Sequence, residues 1–303
     1  MSGPGPVWTT IVNGAAGHGR AARCAPAELE RLRAGGLALD VRQTERPGHA
    51  AELAREAYAA GGRHFLAAGG DGTAFEVLNG IFPRAPGDRD RVVLAQLPLG
   101  TGNSFLRDFE LCDVDGAHAA LLRDRLRRVD VVRAVHRDGE LHYINLLSLG
   151  FSAEVGALTN RRFKRLGHAG YGLAVVLRVA GLRHPVFRVR EDGGPVDERP
   201  CTLLSFSNSR YTGGTMMMAP HAEVDDGRLQ VVRVGRLGRW GLLRAFPKIY
   251  KGTHVRLAAV EERRAAVVEF EGEPEVDVMV DGEVLRLALR RLEVLPGALE
   301  VPT

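Results

Sequence analysis

The 303-residue chain has no apolar run approaching the roughly 20 residues that a bilayer span needs. Its first twelve residues also lack a basic start followed by an apolar stretch, so the expectation is a soluble, cytoplasmic protein. Cysteine is scarce. Cys24, Cys112 and Cys201 stand far apart with no Cys-x-x-Cys or Cys/His spacing, which argues against a disulfide framework and a zinc site and predicts buried free thiols. Neither sign of charge dominates: 41 Lys plus Arg against 37 Asp plus Glu leave a net charge of +4. That mild excess suits anionic phosphates or lipid headgroups, but it is too dilute for nucleic acid. There is no internal repeat and no low-complexity linker. With 45% hydrophobic and 26% charged residues the chain is an ordinary folded one, long enough for two domains or one large α/β domain.

What the sequence has is glycine gathered at the ends of apolar runs. Residues 7–12 read as a strand feeding Asn13-Gly14-Ala15-Ala16-Gly17-His18-Gly19-Arg20, whose Gly-x-x-Gly-x-Gly spacing is not the dinucleotide fingerprint. A helix over 26–33, a strand over 37–41, a helix over 49–60 and a strand over 63–68 follow. The last strand runs into Gly69-Gly70-Asp71-Gly72-Thr73 and a helix over 74–81, and a strand over 91–97 runs into Pro98-Leu99-Gly100-Thr101-Gly102-Asn103-Ser104 and a short helix over 105–109. Such alternation predicts a parallel sheet flanked by helices, with ligands at the carboxyl ends of its strands. From about residue 128 the pattern becomes strand-rich, with runs at 129–135, 141–149, 186–190, 201–207, 229–234, 265–270 and 276–280 and helices over 169–182 and 239–250. The fold class is therefore an amino-terminal parallel-sheet α/β domain, residues 1–130 and rejoined by about 293–303, followed by a mainly antiparallel β domain over 131–292.

The loop at 69–73 is a natural phosphate site. Glycines let the backbone approach an anion, and the free N–H groups of the following helix's first turn point at it. It carries no Gly-Lys-Thr or Gly-Lys-Ser and no lysine nearby, so a triphosphate held there relies on backbone donors and a metal ion. Asp71 then organises that metal or steers the attacking hydroxyl; the alternative is a turn aspartate capping the next helix.

The run from Gly69 through Phe75-Glu76-Val77-Leu78-Asn79-Gly80, followed by residues 98–103, resembles the catalytic domain of the diacylglycerol kinase and sphingosine kinase family, closest to its soluble bacterial lipid kinases. The segment 13–19 resembles its first loop, residues 207–214 and 219–227 its second-domain signatures, and Asp281-Gly282-Glu283 its late Asp-Gly-Glu. The resemblance implies magnesium-dependent transfer of phosphate from ATP to a lipid hydroxyl, diacylglycerol-like or sphingoid-like. It puts ATP at Asn13, Thr44, Gly70, Asp71, Gly72, Thr73, Ala74, Phe75, Glu76 and Thr101, and it makes Glu283 the proton acceptor. It also implies a structural magnesium on the Asp226 carboxylate and the Glu223 and Arg228 carbonyls, though Asp225-Asp226-Gly227 reads equally as a tight turn. Gly14, Ala16 and Ser104 depart from the family pattern, which usually has aspartate where Ser104 stands; Asp108 lies one turn further on. An NAD kinase and an inactive nucleotide- or lipid-binding relative are the alternatives.

The implied partner is a lipid substrate at the membrane surface, with peripheral membrane contact; a homodimer stays open. Arg161-Arg162-Phe163-Lys164-Arg165 is the better membrane candidate. Residues 236–251 interleave Trp240, Leu243, Phe246, Ile249 and Tyr250 with Arg239, Arg244, Lys248 and Lys251, which suits a helix on an anionic membrane, but packing against the second domain is the preferred expectation. Met216-Met217-Met218 lines a lipid groove or belongs to the core. His18, His49 and His221 read as solvated.

Overall fold

The computed structural model describes residues 5–84, 90–123, 125–159, 167–273 and 275–303, without side-chain detail for 167–173. The basic run at 161–165 therefore lies outside the described residues. The chain divides into two compact units, Met1–Val131 with Pro296–Thr303, and Val132–Leu295.

In the first unit β1 (Val7–Val12), α1 (Ala16–Ala34), β2 (Ala38–Gln43), α2 (His49–Ala59), β3 (His64–Gly69), α3 (Asp71–Ile81), β4 (Val93–Pro98), α4 (Val114–Leu122) and the start of β5 (Leu126–His136) follow in order. Strands β2, β1, β3 and β4 lie side by side, all parallel. The central β3 is a near-continuous apolar run because a parallel strand is covered on both faces. On one face Trp8, Leu66 and Leu97 meet Ala21, Leu29 and Leu32 of α1 and Leu121 of α4. On the other, α2 crosses α3 so closely that a Cβ at Gly80 would lie 2.3 Å from the Ala51 carbonyl oxygen. Only glycine fits there.

The second unit holds β6 (Gly139–Tyr143), β7 (Leu146–Gly150), α5 (Phe151–Leu158), α6 (Gly167–Ala180), β8 (Val189–Glu191), β9 (Val196–Asp197), β10 (Leu203–Ser207), β11 (Tyr211–Thr212), β12 (Met216–Met217), β13 (Leu229–Val234), α7 (Arg239–Ile249), β14 (Val260–Ala265), β15 (Val267–Phe270), β16 (Glu275–Val280) and β17 (Glu283–Pro302), whose last residues belong to the first unit. Its main sheet runs β14-β13-β10-β7-β16-β17, every neighbour antiparallel. The fold class expected from the sequence is the one observed.

Several elements differ from expectation. The run at 141–149 is two strands, because the backbone at Ile144 and Asn145 turns its N–H groups to Asp281 instead of a ladder. The run at 265–270 is likewise the end of β14 and the whole of β15. Helices α4 and α5 and the 20-residue β17 were not anticipated. Met216 and Met218 are buried and Met218 packs with Leu146, Leu203 and Met279, which makes this stretch core. Of the three thiols only Cys201 is buried, and burial pushes its pKa up to about 11; Cys112 is exposed. His221 is not merely solvated but pairs with Glu262 at 2.9 Å, and His49 accepts the Glu45 N–H.

Candidate functional site

Three glycine-rich loops leave the carboxyl ends of β1, β3 and β4 and meet. They touch backbone to backbone. A Cβ at Gly100 would lie 2.4 Å from the Gly70 Cα, and one at Gly17, whose φ is +60°, would lie 2.6 Å from the Leu99 carbonyl oxygen. Gly69 O accepts the N–H groups of Leu99 and Gly100 at 2.9 and 2.8 Å. Side chains complete the junction. Asn13 Nδ2 donates to Thr73 Oγ1 at 3.1 Å while Asn13 Oδ1 accepts the Ala15 N–H, and the Arg20 guanidinium donates to the Pro98 carbonyl.

Asp71 locks this arrangement. Its two carboxylate oxygens accept the Ser104 N–H at 2.9 and 3.0 Å, and its own N–H donates to the Gly102 carbonyl at 3.2 Å. Burial raises its pKa above the usual carboxylate value, against the opposing pull of the Ser104 backbone and hydroxyl and the Phe105 N–H. Ser104 is buried in turn. So the serine that departs from the family pattern is the partner of the loop acid, a role that its small hydroxyl and free N–H allowed but that no spacing rule announced. The helix begins at Asp71, three residues earlier than expected. Its first-turn donors are partly spent, since the Thr73 and Ala74 N–H groups return to Gly70 O.

The other predicted nucleotide residues fall around this junction. Thr44 follows β2, its N–H bonded to Val12 O, beside the first loop. Thr101 is exposed on the third loop. Thr73, Ala74 and Phe75 are buried and support the loop from beneath. Glu76 is engaged at the start of α2: its carboxylate accepts the Gly48 and Ala50 N–H groups at 3.0 and 3.1 Å and so caps α2, whose N-terminal residue has no side-chain cap of its own.

In the second unit the Asp-Gly-Glu triplet closes the β16–β17 hairpin, with Asp281 at φ +43° and Gly282 at +90°. Asp281 is 4% exposed, and its carboxylate accepts the N–H groups of Ile144, Asn145 and Leu146, each at 3.0 Å. Beside it Asn145 O takes the Asn208 and Ser209 N–H groups, and Asn208 Nδ2 donates to Ile144 O. A buried polar knot thus fixes the hairpin that carries Glu283, which is exposed. The polar Asn145 inside an otherwise apolar run was the signal for it.

The residues at the implied structural magnesium site do not fit a resident cation. Asp226 gives one oxygen to the Arg228 N–H at 2.9 Å and the other to the Arg264 guanidinium at 2.9 Å, and Glu223 meets the same guanidinium at 3.1 Å. The positive charge beside the Asp226 carboxylate is already supplied by arginine. The turn alternative weighed for Asp225-Asp226-Gly227 is what the geometry supports, with Arg228 N–H closing the Asp226 turn.

No helix among the described residues is long and apolar enough to cross a membrane. The sequence pattern of the diacylglycerol kinase catalytic domain matches residues 7–134, and that of the YegS C-terminal NAD kinase beta sandwich-like domain matches residues 145–303. A diacylglycerol kinase of Mycobacterium tuberculosis is 31% identical over 300 residues, covering 97% of this chain and 94% of its own. A probable YegS-like lipid kinase of Pseudomonas aeruginosa is 33% identical over 280 residues, covering 91% and 88%. The crystal structure of a putative diacylglycerol kinase from Bacillus anthracis superposes with a TM-score of 0.79 at 25% identity, covering 98% of this chain and 94% of that one. The two patterns together and relatives above 30% identity cover nearly the full length, and the chain belongs to the diacylglycerol kinase-like lipid kinase family.

Proposed function

We propose that this protein transfers the γ-phosphoryl group of ATP to the hydroxyl of diacylglycerol, giving phosphatidic acid and ADP. The observation that carries the reading is the junction of three glycine loops at one sheet edge, packed backbone to backbone at the start of α3 in a unit whose sequence holds no lysine. ATP is the co-substrate that a kinase family implies. Magnesium enters with it as part of the substrate, since the turn at Asp226 already has its counter-cation in Arg264. Asp71 acts here as a positioning residue: by gripping Ser104 it holds the third loop against the second, and Asn13 does the same for the first. Glu283 is the candidate base. The lipid hydroxyl oxygen bonds to the γ-phosphorus as the bridging oxygen leaves with ADP, and the hydroxyl proton passes to the Glu283 carboxylate.

The test is incubation with labelled ATP, magnesium and, separately, diacylglycerol, a sphingoid base, ceramide and NAD, with the product identified by mass. Label in phosphatidic acid supports the reading. Label in phosphorylated NAD or a sphingoid phosphate with none in phosphatidic acid replaces it, and ATP binding without transfer to any acceptor makes the protein an inactive relative.

A further inference from the structure

Helix α7 has two faces. Leu242 and Ala245 are buried, and Leu242, Leu243 and Phe246 pack against Phe151 and Val155 of α5 and Val175 and Val179 of α6. Along the other face Trp240, Arg244 and Lys248 follow at four-residue spacing and are all exposed, with Arg236, Arg239, Tyr250 and Lys251 exposed around them. Trp240 is 75% exposed, which leaves the largest apolar side chain of the unit bare in water.

The charge on this face is one-sided. No aspartate or glutamate occurs between Asp226 and Glu261, and two of the chain's three lysines, Lys248 and Lys251, lie here. Many arginines elsewhere in the unit are held by acids, as Arg199, Arg233 and Arg263 are held by Asp197. Among the described residues none of Arg236, Arg239, Arg244, Lys248 and Lys251 makes an ion pair. Unpaired cations around an exposed indole and phenol match an anionic bilayer surface, where the ring sits at headgroup depth and the ammonium and guanidinium groups meet lipid phosphates.

We infer that the outer face of α7, centred on Trp240 and Lys248, is the surface by which this protein docks on an anionic membrane. The inference deepens the lipid-kinase reading, because a water-insoluble acceptor has to be met at a bilayer. It also assigns α7 both roles that its sequence suggested, since one face packs and the other stays open.

Sedimentation with vesicles of phosphatidylcholine, with and without an equal part of phosphatidylglycerol, tests it. The wild-type protein is expected to bind only the anionic vesicles. Each cation near such a surface is worth about fivefold in binding, so Lys248→Glu/Lys251→Glu is expected to lose roughly tenfold or more. The charge-matched Arg33→Glu/Arg55→Glu, on the first unit, is expected to bind as the wild type does. In a Trp8→Phe background the Trp240 emission is expected to shift to the blue on anionic vesicles.

Unchanged binding by the Lys248/Lys251 variant, equal loss by the control pair, or tighter binding of a DNA duplex through the same lysines overturns the inference. Vesicle binding without phosphorylation of any lipid leaves the surface standing and removes the kinase reading. Full activity of the Lys248/Lys251 variant on a short-chain soluble diacylglycerol, with turnover on anionic vesicles lost together with binding, supports both.

Discussion

Two aspartates followed by glycine, Asp71 in the first unit and Asp281 in the second, use the same chemistry for different ends. Each carboxylate accepts backbone N–H groups from a segment distant in sequence, Ser104 for Asp71 and residues 144–146 for Asp281. Asp281 is sealed from solvent and has three donors, so it ties a turn to a hairpin permanently. Asp71 draws its donors from Ser104 and Phe105 and stays partly open, and burial raises its pKa against their pull. One acid therefore anchors the fold, while the other holds two loops in register at an open edge.

That contrast predicts where each variant fails. The largest stability loss is expected for Asp281→Ala, which leaves three backbone N–H groups buried without their acceptor and costs about 3–5 kcal/mol in urea unfolding. A loss under about 1 kcal/mol would equate the two acids and end the comparison. Asp71→Asn is expected to change stability by only about 1 kcal/mol, because relief of desolvation offsets part of the lost hydrogen bonding. Its signature is kinetic: a KM for ATP raised about tenfold or more, as befits a loop out of register. A lowered kcat at unchanged KM contradicts the positioning role.

A control on acids that anchor through ion pairs is Asp197. It sits against Arg199, Arg233 and Arg263, which hold its carboxyl well below the usual 3.8. A depressed folded-state pKa contributes stability that is present above the unfolded value, 3.8, and is lost as pH falls through the folded one. Asp197→Asn is thus expected to cost about 2–3 kcal/mol at pH 7, since it leaves Arg233 buried and uncompensated, with the gap to wild type closing as pH drops below 3.8. A gap independent of pH points to packing.

The smallest effect belongs to the Asp226 turn. Chelator is expected to leave the melting temperature of the wild-type protein unchanged. Arg264→Ala, which strips the guanidinium from Glu223 and Asp226, is expected to be slightly destabilised and to regain stability with added magnesium. Destabilisation of the wild type by chelator restores a resident cation to this turn.

The first unit was legible because its signals are local. An apolar run ending in glycine marks a parallel strand and its loop, and β1, β3 and β4 followed that rule to within two residues. What escaped there was the partner of Asp71, since a hydrogen bond to Ser104 depends on how two loops fold together. In the second unit the signals are nonlocal. The long β17 alternates weakly and carries Arg286, Arg290 and Arg291, whose charges meet Glu275 of β16, Glu273 of the loop before it and Glu269 of β15, acids that lie outside the strand's own run, with Glu293 of β17 adding a second partner for Arg291. The family pattern in the Asp-Gly-Glu triplet points to Glu283, whereas the structure shows what Asp281 does. The burial of an acid in a hairpin turn is decided by a loop some 135 residues earlier.

Asp281 holds the late triplet in place, and Glu283 is proposed to take the hydroxyl proton. Transfer of label from γ-labelled ATP to diacylglycerol by Glu283→Gln, read beside its melting temperature, tests it most directly. The prediction is an unchanged melting temperature with turnover reduced about 10³-fold, the worth of a general base. Near-normal turnover by that variant would contradict it.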